Sequence, residues 1–255
     1  MIVDVNVNLS RWPFRRTPCD GLSRLVATLC EHQVHEAWVG SLDGLFHRDV
    51  GGVNARLANA CQATQQVRLV PFGTVNPMLP DWQEDLRRCA EDHRMPGIRL
   101  HPNYHGYRLD DALAAELFQR AAERFLIVQV VVRMDDVRVQ HPLMQVADVD
   151  VRPLNDLVAA CPTISVLLLN WQPAVRGAER TRLVAHPQIG FDIAMQEGVG
   201  GVANLLNEVP LQQVFFGSHL PLYPIESAWL KLHESDLDEP RRRAICCTNA
   251  HRKRN

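Results

Sequence analysis

The stretch LIVQVVV, residues 126–132, decides how the chain is read. Six of its seven residues are apolar, with no polar residue on alternate positions. A strand wetted on one side alternates, whereas a parallel strand with helices outside and packed side chains inside is apolar on both faces. Further short, β-branched runs lie at 2–7, 36–40, 67–74, 97–101, 164–170, 189–194 and 213–217, with 126–133 as the fifth of eight. Helical spacing fills the intervals at 21–33, 53–66, 81–93, 110–124, 153–160, 175–185 and 200–207, then at 225–235 and 241–250. Pro80-Asp81 opens the third helix, and Asp110 stands where an N-cap carboxylate accepts free amide hydrogens. Eight β-then-α units predict one closed (β/α)8 TIM barrel over 1–255, a fold of about 250 residues. The alternative is a doubly wound open sheet. That fold carries a Gly-rich phosphate turn after its first strand, and DVNVNLSRWPF at 4–14 has no glycine.

Composition narrows the class without naming it. The 255 residues are 46% hydrophobic and 22% charged, with a formal net charge of -2. Such a balance gives no reason to expect nucleic acid or an anionic membrane surface as partner. No apolar run reaches the roughly 18 residues of a membrane span. The opening MIVDVNVNLSRWPF lacks the basic-then-apolar order of a secretory signal. Seven cysteines, none in a C-x-x-C pair, read as reduced and mostly buried thiols of a cytoplasmic protein. The basic ending HRKRN reads as a solvated tail.

A barrel directs attention to its strand ends, because barrel active sites form where strands exit at the C-terminal face. Strand 1 ends in Asn6 and Asn8, strand 4 in Arg99 and His101, and strand 5 in Arg133. Strand 6 ends in Asn170, strand 7 in Asp192, and strand 8 runs into His219. These residues are expected to converge on one mouth.

The same residues carry a resemblance. IVDVNVNL at 2–9, GIRLHP at 97–102, VLLLNW at 166–171, VFFGSHLP at 214–221 and TNAHR at 248–252 make the chain similar to the amidohydrolase-related (amidohydrolase 2) family. That family comprises metal-dependent barrel hydrolases and decarboxylases. The resemblance implies a divalent metal such as zinc, held by two histidines of strand 1, one of strand 5 or 6, and an aspartate of strand 8. Here those places hold Asn6, Asn8, Asn170 and His219, with Arg133 on strand 5. Zinc sites are built from imidazole, thiolate and carboxylate. A neutral carboxamide does not compensate a dication, and a guanidinium repels it. No catalytic zinc is therefore expected; any metal would have Asn8, His101 and His219 as ligands.

The expected function is that of an amidohydrolase-like hydrolase or lyase. Its substrate would be a small polar compound, a carboxylate, lactone or sugar acid, bound at the C-terminal mouth. His101 and His219 are candidates for proton transfer, and Asp136 for an orienting or basic carboxylate. Arg99 and Arg133 are candidate anion clamps, since planar guanidinium forks match carboxylate oxygens. Asn6, Asn8 and Asn170 are candidate hydrogen-bonding positions. The alternative class is a catalytically inactive relative serving as a small-ligand-binding or assembly protein. The loop after strand 5 (Asp135, Arg138, His141) and NLSRWPFRR after strand 1 can wall the pocket or be structural. His105 and Tyr107 read as an ordered loop. A homodimer is compatible with the apolar C-terminal segment.

Overall fold

The structure, a computed structural model, describes residues 1–254. Eight strands follow in chain order: β1 (Val3–Leu9), β2 (Glu36–Ser41), β3 (Arg68–Thr74), β4 (Gly97–Leu100), β5 (Ile127–Val131), β6 (Ser165–Leu169), β7 (Ile189–Asp192) and β8 (Val214–Phe215). Every neighbouring pair is parallel, in the order β1 to β8. β8 is too short to form a ladder with β1, so the ring is closed by the chain that follows it. Val5 N donates to Phe216 O (2.9 Å), His219 N to Asn6 O (2.8 Å) and Asn8 N to Leu220 O (2.8 Å). The expected (β/α)8 TIM barrel is what forms.

Helices lie between the strands: α1 (Leu22–Glu31), α2 (Val50–Ala63), α3 (Trp82–Arg87), the single turn α4 (Pro102–His105), α5 (Ala112–Glu123), α6 (Leu154–Ala160), α7 (Gly177–Val184), α8 (Gly201–Leu205), α9 (Ile225–His233), α10 (Glu239–Arg243) and α11 (Asn249–Arg254). The caps differ in detail from expectation. Asp111, one residue later than expected, is the N-cap of α5, while Asp110 is held by Arg108 at 2.8 Å. Asp49 and Asp238 are the aspartates whose side chains accept from the first turns of α2 and α10.

β1, β2, β4, β5 and β7 are buried at every position, so both faces need apolar partners. Alternation within β2 shows how the two layers are filled. Trp38 points into the barrel and stacks on Phe72 at 5.0 Å, among Val5, Ile127, Leu167 and Phe215. Ala37 and Val39 face the helices, in a second core with Leu25, Leu29 and Leu57. Two glycines make room for interior rings. A Cβ on Gly97 would lie 2.3 Å from Ile127 O and 2.5 Å from Phe72, and one on Gly190 2.4 Å from Phe215. Gly40 on β2 is bare for a different neighbour: its Cβ would meet Arg99 Cδ at 2.8 Å.

The C-terminal segment is not the solvated tail that its charge predicts. It is helical through α11 and closes the N-terminal end of the barrel. Asn249 Nδ2 donates to Val214 O (2.8 Å) and Leu211 O (2.7 Å), and Arg254 Nη1 reaches the buried Glu36 (2.5 Å). Lys253 Nζ donates to Gln188 O (2.7 Å) and lies over the Phe215 ring. Long aliphatic stems cover apolar surface while the charged heads find acceptors.

Because the Gly97 contact is with backbone, Gly97→Ala is expected to lower stability by about 1–3 kcal/mol through overpacking, read as a lower urea midpoint with unchanged slope.

A candidate binding site at the C-terminal mouth

The polar strand ends do converge, and they are buried. Asn6, Asn8, Arg99, His101, Asn170 and His219 are each at most 2% exposed. Asn170 and His219 both adopt left-handed backbone, with φ 54° and 61°. Asparagine tolerates that region and histidine less so.

Three groups of contacts fix these side chains. Asn6 Nδ2 donates to Asn170 Oδ1 (2.8 Å) and to Asp192 Oδ2 (2.7 Å). Asn170 Nδ2 in turn donates to Arg133 O (2.8 Å) and lies 3.2 Å from His219 Nδ1. His219 Nε2 is 2.6 Å from Met134 O. A carbonyl only accepts, so Nε2 carries the proton and Nδ1 accepts from Asn170. The second group centres on Arg99. Its Nε donates to Gln129 Oε1 (2.7 Å), Nη1 to Val7 O and Asn8 Oδ1 (2.7 Å each), and Nη2 to Trp38 O (3.1 Å). The third is Asp4, whose Oδ1 accepts from Asn6 N and Ser218 N at 3.0 Å while Oδ2 has no partner.

Burial sets the charge states. It pushes Asp4 up to about 6 and Asp192 up to about 7, against the hydrogen bonds that favour the carboxylates. It draws Arg99 down to about 9, a fall opposed by the charges of Asp4 and Asp192. His219 falls to about 4 through burial, and His101 falls well below its ordinary value through burial and then the neighbouring His105, Arg99 and His219. Both imidazoles are therefore neutral near pH 7.

The donor chemistry here does not fit a divalent metal. The oxygen Asn8 would offer already accepts from a guanidinium, and Asn170 Oδ1 from an amide. His219 presents a protonated nitrogen to Met134 and spends the other on Asn170. No group of three or more His, Cys, Asp or Glu among the described residues is placed to hold a metal ion.

His101 differs from His219. Neither of its ring nitrogens has a hydrogen-bond partner. Arg133 and Asp136 lie outside the buried network. Arg133 is paired with Asp148 (Nε to Oδ1, 2.7 Å), and Asp136 is held by the exposed Arg138, which takes its carboxyl down to about 2.

Open space lies among the loops above this floor. A cleft of about 280 Å³ is lined by Trp12, Phe14 and Arg15 after β1, Tyr104 of α4, and Asp135, Gln140 and His141 after β5. Its apolar wall is a ring cluster: Trp12 to Phe14 5.1 Å, Trp12 to Tyr104 6.3 Å, and Phe46 within 5.7 Å of Phe14. Its polar side is Arg15, whose fork meets the buried Asp135 at 3.2 and 3.3 Å. Sequence reasoning named this loop but not Phe46, Gln129 or Asp4. Gln129 did leave a signal, as the lone polar residue of the stretch at 126–132.

Replacing Asp4 by Asn keeps the accepting oxygen and removes the charge. With its folded value raised, this carboxyl contributes stability that is present below about pH 4 and lost as pH rises through about 6. The stability difference between wild type and Asp4→Asn, from urea unfolding at pH 5 and pH 8, is expected to shift towards the variant at the higher pH.

Residues 41–252 match the family model described as Amidohydrolase. No curated protein matches the chain in sequence. Solved structures do match in fold. The structure of an amidohydrolase II superposes with a TM-score of 0.76 at 14% identity, covering 100% of this chain and 99% of its own. A 2,6-dihydroxybenzoate decarboxylase from Rhizobium gives 0.73 at 13%, covering 99% and 98%. A dihydroxybenzoic acid decarboxylase from Polaromonas, solved with bound manganese and 2-nitroresorcinol, gives 0.75 at 13%, covering 99% and 96%. At these identities the structures speak for the fold alone.

Proposed function

Because the chain belongs to the amidohydrolase family, we propose that it engages a small carboxylate-bearing molecule at the C-terminal mouth, without a resident divalent metal. One observation carries the reading. At the places where the family resemblance implies ligands to a cation, Asn6 bonds to Asn170 and Asp192, Asn170 bonds to His219, and Asn8 is taken by Arg99. A ligand then meets the cleft above. Trp12, Phe14 and Tyr104 offer it an apolar wall. Arg15 offers a guanidinium fork whose bonds to Asp135, at 3.2 and 3.3 Å, are longer than the usual 2.7–2.9 Å of charge-assisted pairs. Nη2 also donates to Leu222 O (2.8 Å), so the Nη1 edge is the part of the guanidinium that a ligand carboxylate can meet. Decarboxylases of dihydroxybenzoates among the structural neighbours support the carboxylate class.

The geometry favours capture of such a molecule over metal-assisted turnover, the role of a small-ligand-binding relative. A second reading is metal-independent hydrolase or lyase chemistry, and His101 is the observation in its favour. A neutral imidazole with both nitrogens unpartnered has one to donate to a ligand and one to accept from it. In that reading His101 moves the proton, with Arg133 and Asp136 at the rim to hold and orient an anion. His219, with both nitrogens engaged, orients Asn170.

A panel of small aromatic and aliphatic carboxylates is expected to raise the melting temperature, equally with and without chelator. Arg15→Gln should weaken the best of them about tenfold. A stoichiometric divalent metal in the purified protein, with stabilisation lost on chelation, would overturn the metal-free reading. Product formation abolished in His101→Gln, with binding retained, would select turnover over capture.

A further inference from the structure

A second hollow, of about 300 Å³, opens beside α4. Tyr104 of that turn faces the cleft at the mouth, whereas Pro102, Asn103 and the following Tyr107 line the hollow. The loop after β5 divides in the same way, with Asp135, His141 and Met144 on the cleft and Val146 to Asp150 on the hollow. Asn103 Nδ2 donates to Ala147 O (2.8 Å) and ties the turn to the loop. The wall holds two polar groups without a mate. Tyr107 is 4% exposed, and its hydroxyl has no hydrogen-bond partner among the described residues. Asn103 Oδ1 has none either. Buried polar atoms are nearly always paired, so two such atoms on one wall point to a molecule that pairs them. The charges around the hollow, by contrast, are balanced. Asp110 meets Arg108 at 2.8 and 2.9 Å, Asp150 meets Arg152 at 2.9 and 2.6 Å, and Asp148 meets Arg133 at 2.7 Å.

We propose that this hollow binds a small neutral polyhydroxylated molecule, a monosaccharide or a cyclitol. A hydroxyl both donates and accepts. One hydroxyl of such a ligand accepts from the Tyr107 phenol and another donates to Asn103 Oδ1. Their neighbours donate to the lone pairs that Asp110 and Asp150 keep beside their arginines. An ammonium or carboxylate ligand would enter with no free counter-charge to meet it, at a cost in desolvation that nothing repays. The carbon skeleton packs on Leu109, Val149 and Pro153. The volume stands at the lower end of the usual range for ligand pockets, which sets the size to a single small ring. The proposal is independent of what the mouth binds.

Polyols stabilise most proteins by exclusion from the surface, so direct binding is the test rather than a thermal shift. The full chain is titrated with a panel of neutral monosaccharides and cyclitols, with 1,4-diaminobutane and with succinate, by calorimetry and saturation-transfer NMR. At least one neutral member is expected to bind. Tyr107→Phe removes only the hydroxyl and should weaken that ligand about tenfold, with thermal unfolding unchanged. Ala147→Tyr adds bulk at an exposed residue of the lining and should abolish binding. Arg15→Gln, at the mouth, should leave polyol binding as it is, which separates the two sites. Failure of every neutral polyol to bind wild type would overturn the proposal. So would polyol binding indifferent to both Tyr107→Phe and Ala147→Tyr, or diamine or succinate binding that Tyr107→Phe weakens in place of polyol binding.

Discussion

A guanidinium sealed inside the barrel is the constraint on which the rest depends. Arg99 has no exposed surface and is among the largest fully buried side chains. Burying an ion costs several kcal/mol unless its hydrogen bonds are met and its charge is balanced. Here β1 and β2 supply carbonyl oxygens, Asn8 and Gln129 supply amide oxygens, and Asp4 and Asp192 supply the compensating charge. Those polar residues are thereby committed. A second cation in the same low-dielectric space would meet strong repulsion, which gives carboxamides a reason to stand where imidazoles bind metal in the family.

The same commitment explains where ligand chemistry is available. A network that is fully satisfied rigidifies its members and leaves little for a visitor. The floor of the mouth is therefore held together over most of its area, and in the proposed function recognition falls to the loops after β1, β4 and β5. Those loops bring rings, one arginine and one histidine to a partly open cleft, supported from beneath by the barrel. The exceptions on the floor are Asp4 Oδ2 and the neutral His101 ring, neither of which has a partner. Under the proposed function, His101 is the residue on which capture and turnover would differ.

Much of the fold was legible because apolar runs such as LIVQVVV have few ways to bury both faces. All eight strands lie where the pattern puts them, although β8 shrinks to Val214–Phe215 because the chain after it closes the ring through Phe216, His219 and Leu220. Helix ends drifted by a few residues, since Asp110 and Asp111 compete for one cap and only geometry selects between them. The basic ending misled because charge alone does not reveal that Glu36 waits for Arg254. For the site, strand-end logic gathered Asn6, Asn8, Arg99, Asn170 and His219 correctly in space. It did not show how they are bonded, because such partnerships join remote positions, as with Asn6 and Asp192, 186 residues apart. Phe46 left no sequence signal, since one aromatic in a loop looks like any other.

Gly40 and Arg99 are one unit split between two strands. The hydrogen atom of Gly40 leaves the corridor through which the arginine stem passes, and any larger group there would stand 2.8 Å from its Cδ. Descendants and cousins of this barrel should therefore inherit the two positions jointly: lineages that thicken residue 40 must surrender the arginine, and lineages that keep the arginine must leave residue 40 bare.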